Sequence, residues 1–425
     1  MKLRADEKAM LDGAEGRAVQ VAMDLLVRYG DALGAEEFID TNNVCGYLFP
    51  REAEVLRHPS KDLKATIAQM YLDSDEPLEF PKVKVQSLQV ETHMDPEYYE
   101  LIGKTKSAQE LYYENEKLMA SMGVQLTCTC TPYQLGNLPM KGEHCAWMES
   151  SAVAFINGAL GARTNCEGNM SAFASMLTGK TPYWGYHIPE NRLGTHLIEV
   201  ETDIDNFEDW GLLGYYVGKT VIDKVPVING IKRIPLKDEL KQFGAAAASS
   251  GGIEMYHVVG VTPEARTLEE AFGANKPVEV LRFGAEEKRQ AYEQLNCTGK
   301  SKDVDFVMLG CPHYSLEQIR EVCSLLNGRK IKDGMSFWIY TAKAIKEVAK
   351  LSGYLEILEK AGAVLMCNTC PCLGGFQPRG AKVMASDSGK QSHYLPNFTG
   401  IQSWYGSTAQ CVEAAVSGKW EGMYR

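Results

Sequence analysis

The sequence predicts an α/β protein built from several three-layer α/β/α domains with mostly parallel sheets. The chain has 425 residues, of which 45% are hydrophobic, and this length is more than a single hydrophobic core usually serves. In its last third, short apolar runs alternate with amphipathic helical patterns, which is typical of parallel strands covered by helices. We expect an N-terminal α/β region over 1–125, a central α/β domain over 126–300 and a C-terminal α/β domain over 301–425.

The N-terminal region starts with helical spacing. Apolar residues form one stripe over 7–30, and Gly30 ends it. A strand is expected over 83–90, where apolar and polar residues alternate, and Gly123 ends a helix over 107–122. The remaining expectations are a short helix over 35–38, a loop over 42–46, an irregular polar stretch over 50–85 and a helix that begins after Asp95.

The central region begins with the stretch 126–168, in which thiols, a proline turn and small residues crowd together. A strand ends near Leu126 because Pro132 cannot donate to a sheet. The small residues of 244–252 favour a helix or loop that approaches another backbone closely. Helices are expected over 149–158, 170–177, 207–217, 236–243, 268–272 and 285–296, and strands over 197–200, 222–227, 253–259 and 278–283.

The C-terminal region repeats a strand–turn–helix unit. Strands are expected over 305–309, 335–340, 364–366 and 383–386, helices over 316–326, 342–352 and 354–361, and turns over 310–313 and 368–372. Ligands of open parallel sheets bind at the carboxyl ends of the strands. The two turns, which both contain a Cys-Pro pair, therefore lie where a ligand site is expected.

Composition argues against several classes of function. The formal net charge is -11, whereas proteins that bind nucleic acid present a basic face. No apolar run reaches the roughly 18 residues of a membrane span, and the N-terminus lacks the apolar core of a signal peptide. We therefore expect a cytoplasmic protein that contacts neither nucleic acid nor membrane. The dinucleotide fingerprint, the P-loop and the G-x-S-x-G nucleophile turn are absent from the sequence.

Cysteines provide the main chemical signal. There are twelve, and a reducing compartment favours free thiols over disulfides. Cys130, Cys311 and Cys370 each follow a predicted strand and have a proline within two residues. Three thiolates can hold an iron–sulfur cluster with one iron open to substrate, although free cysteine is more often a buried apolar residue. The neighbouring thiols that could replace them are Cys128, Cys367 and Cys372.

Four residues are candidates for binding an anionic substrate. Arg163 and Asn165 have small, uncharged neighbours, and a guanidinium can bind a carboxylate or phosphate through two hydrogen bonds. Ser388 and Lys390 lie in a polar turn after the strand over 383–386, where backbone amides can also bind an anion. For each of them, a solvated surface loop is the simpler alternative.

His313 and His144 are the candidates for proton transfer. His313 lies two residues after Cys311, and His144 lies within the stretch 126–168. An imidazole near neutrality can donate or accept a proton in catalysis. A single histidine is more often a hydrogen-bonded structural group, so the sequence leaves both roles open.

The same residues resemble the aconitase X family, in its large, catalytic subunit. The resemblance is carried by CTPYQLGNLPMKGEHCAWMESSAVAFINGALGARTNCEG at 130–168, GAAAASSGGIEMYHVVGVTPEA at 244–265, Gly-Cys-Pro-His at 310–313, Asn-Thr-Cys-Pro at 368–371 and YGSTAQCVEAAVSG at 405–418. It implies an aconitase-like fold that lacks the swivelling domain. It also implies a dehydratase whose iron–sulfur cluster is held by Cys130, Cys311 and Cys370, with the number of irons (2Fe–2S, 3Fe–4S or 4Fe–4S) left open.

The resemblance further implies a partner and two substrates. A separate small subunit would carry the swivelling domain and a catalytic Ser, so the chain alone would be inactive or weakly active. Family members dehydrate cis-3-hydroxy-L-proline or mevalonate 5-phosphate, and the composition, which looks bacterial and mesophilic, favours cis-3-hydroxy-L-proline. Lys390 or Arg379 could supply a second cation for a phosphate. The alternative of another class is a non-catalytic metal-binding scaffold subunit.

Overall fold

The structure is a computed structural model that describes residues 1–424, and it confirms the predicted α/β class. Within these residues, twelve of the strands form three parallel sheets of three, four and five strands, and two more form an antiparallel pair. None of the helices in the described part of the chain is long and apolar enough to cross a membrane.

The first third of the chain surrounds the three-stranded sheet, whose order is β3-β2-β4. Strand β1 pairs antiparallel with β5. Helix α7 packs between α2 and α4 and fills the core beside the sheet. The strands are β1 Phe38–Asp40, β2 Asn43–Gly46, β3 Gln86–Gln89, β4 Cys145–Trp147 and β5 Lys180–Pro182, and the helices are α1 Ala5–Leu11, α2 Arg17–Ala32, α3 Glu52–Arg57, α4 Leu63–Leu72, α5 Lys106–Ser121, α6 Ser150–Phe155 and α7 Asn169–Thr178.

The loop predicted over 42–46 is wrong, because residues 43–46 form β2, the central strand of this sheet. Val44 and Cys45 are fully buried there. The Asn43 side chain donates to Oδ1 of Asn137 at 2.6 Å, so its polar group is satisfied inside the protein. Tertiary pairing thus outweighs the low strand propensity of asparagine and glycine.

Four other predictions in this region are wrong. The stripe over 7–30 divides into α1 and α2, because Gly13 and Gly16 have φ of 85° and 94°, which a continuing helix does not allow. Residues 38–40 form β1 instead of ending a helix, and 50–85 contain α3 and α4. Asp95 begins no helix of the described chain; its carboxylate accepts hydrogen bonds from the backbone N of Glu97 and of Cys367.

The middle of the chain forms the four-stranded sheet, in the order β8-β7-β6-β9. The small-residue run is helical over 244–251, where it lies in α9, and α9 packs closely on α8. A Cβ on Gly251 would overlap the carbonyl of Gly218, so the close approach requires glycine there. The strands are β6 His196–Val200, β7 Pro226–Asn229, β8 His257–Val258 and β9 Glu279–Phe283, and the helices are α8 Phe207–Val221, α9 Lys237–Gly251, α10 Leu268–Phe272 and α11 Ala285–Leu295.

The last third forms the five-stranded sheet, in the order β12-β11-β10-β13-β14. The predicted alternation of strands and helices is present throughout. The strands are β10 Phe306–Tyr314, β11 Ser336–Thr341, β12 Val364–Cys367, β13 Val383–Ser386 and β14 Gln402–Tyr405, and the helices are α12 Leu316–Leu326, α13 Lys343–Leu351, α14 Tyr354–Ala361, α15 Pro371–Gly374, α16 Gly389–Thr399 and α17 Thr408–Ser417.

One turn predicted in this region is part of a strand. Residues 310–313 continue β10, but its register with β11 shifts between Leu309 and Tyr314. Gly310 has φ of 91°, and a Cβ on it would overlap the carbonyl oxygen of Tyr340. The irregularity turns Cys311 out of the regular ladder, as a bulge does at many ligand sites.

The sheets divide the chain differently from the predicted domains. The boundary predicted at residue 125 runs through the first sheet, because β2 and β3 lie before it and β4 lies after it. The boundary predicted at residue 300 lies between α11 and β10, where the four-stranded sheet gives way to the five-stranded sheet.

Candidate active site

Three buried thiols lie at the meeting of the first and last sheets. Sγ of Cys130 accepts a hydrogen bond from the backbone N of His313 at 3.2 Å. Sγ of Cys311 accepts one from Nε2 of Gln391 at 3.0 Å, and Sγ of Cys370 accepts one from the backbone N of a neighbouring residue in α15. The three cysteines are 6%, 6% and 9% exposed. Residues far apart in the sequence therefore converge on one place.

His313 ties the three cysteine turns together. Its Nε2 donates to the carbonyl O of Thr369 at 3.0 Å, and its Nδ1 accepts from the hydroxyl of Thr129 at 2.9 Å. These two residues directly precede Cys370 and Cys130. Burial lowers the pKa of His313 to about 4, so the ring is neutral near pH 7. Because protein groups occupy both ring nitrogens, the geometry favours a positioning role over the predicted proton transfer.

The thiols share one electrostatic environment. Burial raises the pKa of Cys130, of Cys311 and of Cys370. The charge of Cys311 further raises the pKa of Cys130 and of Cys370. Burial, together with the charge of Cys311, also raises the pKa of Cys372 to about 12. Four thiols thus lie near one another. All twelve cysteines, each within the described residues, are free thiols.

The donor set, three buried thiols with a fourth nearby, is of the kind that holds iron–sulfur clusters. No group of three His, Cys, Asp or Glu side chains within residues 1–424 is arranged around one ion. Sulfurs around a single zinc all lie about 2.3 Å from the metal. Thiolates of an iron–sulfur cluster bind different irons, so their sulfurs lie farther apart. Cys130, Cys311 and Cys370 would hold such a cluster, with Cys372 as a fourth nearby thiol.

Two carboxyl groups and a lysine lie beside the thiols. Nζ of Lys390 lies 2.6 Å from Oε1 of Glu149, whose side chain is 15% exposed. Burial alone would raise the pKa of Glu149, but Lys390 and hydrogen bonds from Glu91 and Ser151 lower it to about 2. Burial and the neighbouring Glu149 raise the pKa of Glu91 well above its usual value. Near pH 7, the pair therefore holds one charged and one protonated carboxyl group.

A cavity of about 370 Å³ opens beside this group, and we call it the cleft. Glu91 follows β3 by two residues and Glu149 follows β4 by two residues, so both lie at the carboxyl edge of the first sheet. Arg51 is the cation of the cleft, and its Nη2 donates to the carbonyl O of Leu373 at 2.9 Å. The cleft is lined by Tyr47, Arg51, Glu54, Met70, Tyr71, Val90, Glu91, Met148, Glu149, Asn169 and Leu373.

The structure brings Ser388 and Lys390 to this site. Both lie at the start of α16, where the Ser388 hydroxyl accepts a hydrogen bond from the backbone N of Gln391 at 3.2 Å. Burial raises the pKa of Cys311. This rise is opposed by the charge of Lys390 and by hydrogen bonds from Gln391 and Ser388. Lys390 is committed to Glu149 by its ion pair, so it acts on the site through that carboxylate.

His144, Arg163 and Asn165 lie elsewhere. His144 directly precedes β4 and bridges to Arg163, so both are at the amino edge of the sheet. The five residue steps from His144 to Glu149 correspond to roughly 16 Å of extended strand. Arg163 donates to the carbonyl O of His187 at 3.3 Å. The structure does not bring these residues to the site formed by Cys130, Cys311 and Cys370.

Asn165 borders a different cavity, of about 520 Å³. Its Oδ1 accepts from the backbone N of Tyr186 at 2.8 Å, and its Nδ2 donates to the carbonyl O of Trp184 at 3.2 Å. The amide is therefore used to hold the segment 184–186. Its predicted contact with a substrate at the cysteines has no support from this geometry.

Sequence reasoning missed Arg51, Glu91 and Glu149. Charged residues often follow strands, so an arginine or a glutamate at such a position does not by itself indicate a functional site. The available clue was position, because Glu91 and Glu149 each follow a strand by two residues. That clue required a correct first sheet, and β2 was predicted as a loop.

Comparison with known families places these features in context. The family model described as "Aconitase X first domain" matches residues 1–190, the second-domain model matches 194–293 and the third-domain model matches 304–417. The chain belongs to the aconitase X family. The crystal structure of Thermococcus kodakaraensis aconitase X (holo-form) agrees with it at a TM-score of 0.81 and 31% identity, covering 98% of this chain and 100% of that chain.

Curated relatives of this aconitase X chain are named as dehydratases. The phosphomevalonate dehydratase large subunit of Methanocaldococcus jannaschii is 37% identical, over 97% of this chain and 100% of that protein. The cis-3-hydroxy-L-proline dehydratase of Pseudomonas aeruginosa is 34% identical, over 98% of this chain and 70% of that protein. The predicted enzyme class, a dehydratase of the hydro-lyase type, is confirmed.

Proposed function

We propose that this aconitase X chain is the large subunit of an iron–sulfur-dependent dehydratase of cis-3-hydroxy-L-proline. The observation that carries the proposal is the convergence of Cys130, Cys311 and Cys370 beside a cleft lined by Arg51 and Glu91. When bound, the cluster would supply a Lewis acid that polarises the substrate C–O bond. The number of irons stays open.

The charges of the cleft support an amino-acid substrate. Arg51 offers a guanidinium for a carboxylate. Glu54 lines the same cavity and suits the ammonium group of a proline derivative, whereas the charge of Glu149 is already balanced by Lys390. A phosphate dianion would therefore meet one arginine and the Glu54 carboxylate in the cleft. The balance of charge therefore favours cis-3-hydroxy-L-proline.

Mevalonate 5-phosphate is the second candidate. It is supported by the relative from Methanocaldococcus jannaschii, which is named for that substrate. It is also supported by Lys104, whose Nζ donates to the carbonyl O of Gly374 at 3.3 Å, next to the carbonyl that Arg51 contacts. Burial and Arg51 lower the pKa of Lys104, so an anion between the two cations would relieve their repulsion.

We also propose a separate small subunit as partner. Several relatives are named as large subunits, and the family resemblance assigns a catalytic Ser to a swivelling domain. That Ser would remove the proton next to the substrate carboxylate, while Arg51 holds the carboxylate in place. A cytoplasmic location is proposed with it, because unpaired thiols persist in reducing compartments.

The test is anaerobic purification of the chain with and without the small subunit encoded in the same genome. Iron, acid-labile sulfide and zinc are measured first, and dehydration of both substrates follows. We expect iron with sulfide, turnover of cis-3-hydroxy-L-proline by the pair, and little turnover by the chain alone. Zinc alone without turnover would instead support the scaffold alternative. Robust turnover by the chain alone would overturn the partner proposal.

A further inference from the structure

Glu91 is a buried carboxyl group that faces the cleft with one oxygen unused. The residue is 5% exposed, and its Oε2 has no hydrogen-bond partner among the described residues. It nevertheless lines the cleft. A buried polar atom without a partner carries a cost in free energy. Such an atom at the wall of a cavity therefore points to a ligand that completes its hydrogen bonding.

The neighbouring groups determine which of the two carboxyl groups carries the proton. Glu149 is held in its charged form by Lys390 at 2.6 Å, and its Oε1 also accepts from the hydroxyl of Ser151 at 3.0 Å. Glu91 has no comparable cation, and Glu149 is its immediate neighbour. Two adjacent carboxyl groups cannot both be ionised cheaply. The proton of the pair thus belongs to Glu91, which agrees with the raised pKa of that residue.

Other groups at or near the cleft are poorer proton donors. His313 has both ring nitrogens in hydrogen bonds with the protein. The hydroxyl of Tyr71 also has no partner among residues 1–424, but burial raises its pKa well above 10. The guanidinium of Arg51 does not release a proton in proteins. Among the residues that line the cleft in the described part of the chain, Glu91 alone combines an unused oxygen with a proton that it can release, and in the free site this proton is shared with Glu149.

We propose that Glu91 is the proton donor to the leaving hydroxyl group in the dehydration, with the Glu149–Lys390 pair as the positioning group that keeps Glu91 protonated. This inference rests on the proposed function. In the step, the substrate C–O bond and the Glu91 O–H bond break, and the new O–H bond completes a water molecule. The electron pair of the substrate C–H bond forms the new C=C bond, and that proton passes to the base. Glu91 regains a proton from solvent afterwards.

The kinetic test compares E91Q with E167Q in the complete enzyme. Glu167 is a matched control, because it is 3% exposed and its Oε2 has no partner in the described chain, but it does not line the cleft. General acid catalysis is worth roughly 100- to 10,000-fold. We expect kcat of E91Q on the hydroxy substrate to fall by such a factor, with KM changed only a few-fold and E167Q close to wild type.

A fluorinated substrate separates proton donation from other losses. In 3-fluoroproline of the same configuration, fluoride can leave without a proton, so E91Q should keep most of the wild-type rate. An equal loss on both substrates would overturn the proposal, as would an E91Q variant with full activity on the hydroxy substrate. If the wild-type complex of large and small subunits dehydrates neither candidate substrate, the proposed function is wrong, and the proposed role of Glu91 is wrong with it.

Infrared spectroscopy tests the proton directly, without turnover. The difference spectrum of wild type minus E91Q should contain the carbonyl stretch of a protonated carboxylic acid at pH 7. The E149Q variant should weaken this band, because Glu91 then loses the negative neighbour that keeps it protonated and faces an unpaired Lys390. Absence of the band from the wild-type spectrum would overturn the proposal.

Discussion

Replacing Lys390 with methionine gives the sharpest test of the charge arrangement at the site. Lys390 and Glu149 form an ion pair at 2.6 Å with side chains that are 14% and 15% exposed. Burial would raise the pKa of Glu149, but Lys390, together with hydrogen bonds from Glu91 and Ser151, lowers it from 4.5 to about 2. Because each pKa unit corresponds to about 1.4 kcal/mol, the charged form is stabilised by about 3 kcal/mol in the folded protein. Loss of one partner of a buried pair typically costs about 3–5 kcal/mol, which agrees.

The pH dependence of this loss has a defined sign. A carboxylate with a lowered pKa stabilises the fold above pH 4.5, and this contribution is lost as the pH falls from 4.5 towards 2. Without Lys390, burial dominates and the pKa of Glu149 rises above 4.5. The variant then takes up a proton on folding, so its stability increases as the pH falls from 8 to 5. We therefore expect K390M to be destabilised by about 3 kcal/mol at pH 8 and by less at pH 5.

Urea unfolding of anaerobically loaded protein, followed by circular dichroism at pH 5 and pH 8, measures this difference. The K346M variant is the matched control, because Lys346 pairs with Glu97, whose side chain is 49% exposed and remains hydrated. The double variant E149Q/K390M removes both charges and should recover much of the lost stability. Equal destabilisation by K390M at both pH values, without recovery in the double variant, would refute the reasoning.

Three further predictions concern the cluster and the substrate. C311S should lose most bound iron and the visible absorbance of the cluster, whereas C323S, which changes a thiol on α12 that donates to the carbonyl O of Tyr354, should keep both; retained absorbance in C311S would remove that residue from the ligand set. H313A should lower the iron content of the purified protein although every cysteine remains, and H58A on the surface should not; equal iron in both variants would exclude the positioning role. R51M should raise KM for the substrate by about 10- to 100-fold, because a hydrogen bond to a charged group contributes about 1.5–3 kcal/mol, and an unchanged KM would remove Arg51 from the substrate site.

The three thiols could be selected from the sequence because two local signals coincide. Cys130, Cys311 and Cys370 each combine a thiol with a nearby proline after an apolar run, and alternating patterns are strong in the last third of the chain. Helices α12 and α14 and strand β13 have the predicted bounds for the same reason. The distances between the three thiols could not be predicted from the sequence, because these distances depend on how two sheets meet.

The errors at the site also have a physical origin. Several candidate site residues lie together in the stretch 126–168, but β4 runs through it and carries its parts to opposite edges of a sheet. His144 lies at the amino edge and Glu149 at the carboxyl edge. A one-dimensional cluster of polar residues therefore divides in three dimensions. The same strand brings Glu149 beside Glu91, which is 58 positions earlier in the chain.

The site depends on residues that flank the cysteines as much as on the cysteines. The hydroxyl of Thr92 donates to the carbonyl O of Asn368 at 3.0 Å, and Asp95 accepts from the backbone N of Cys367. These contacts join the end of β3 to the turn that carries Cys370. His313 joins the same turn to Thr129. Because hydrogen bonds within the protein already align these turns, the fold itself holds the thiols in place. The loss of conformational entropy that ordering the site requires therefore occurs on folding and not on metal binding.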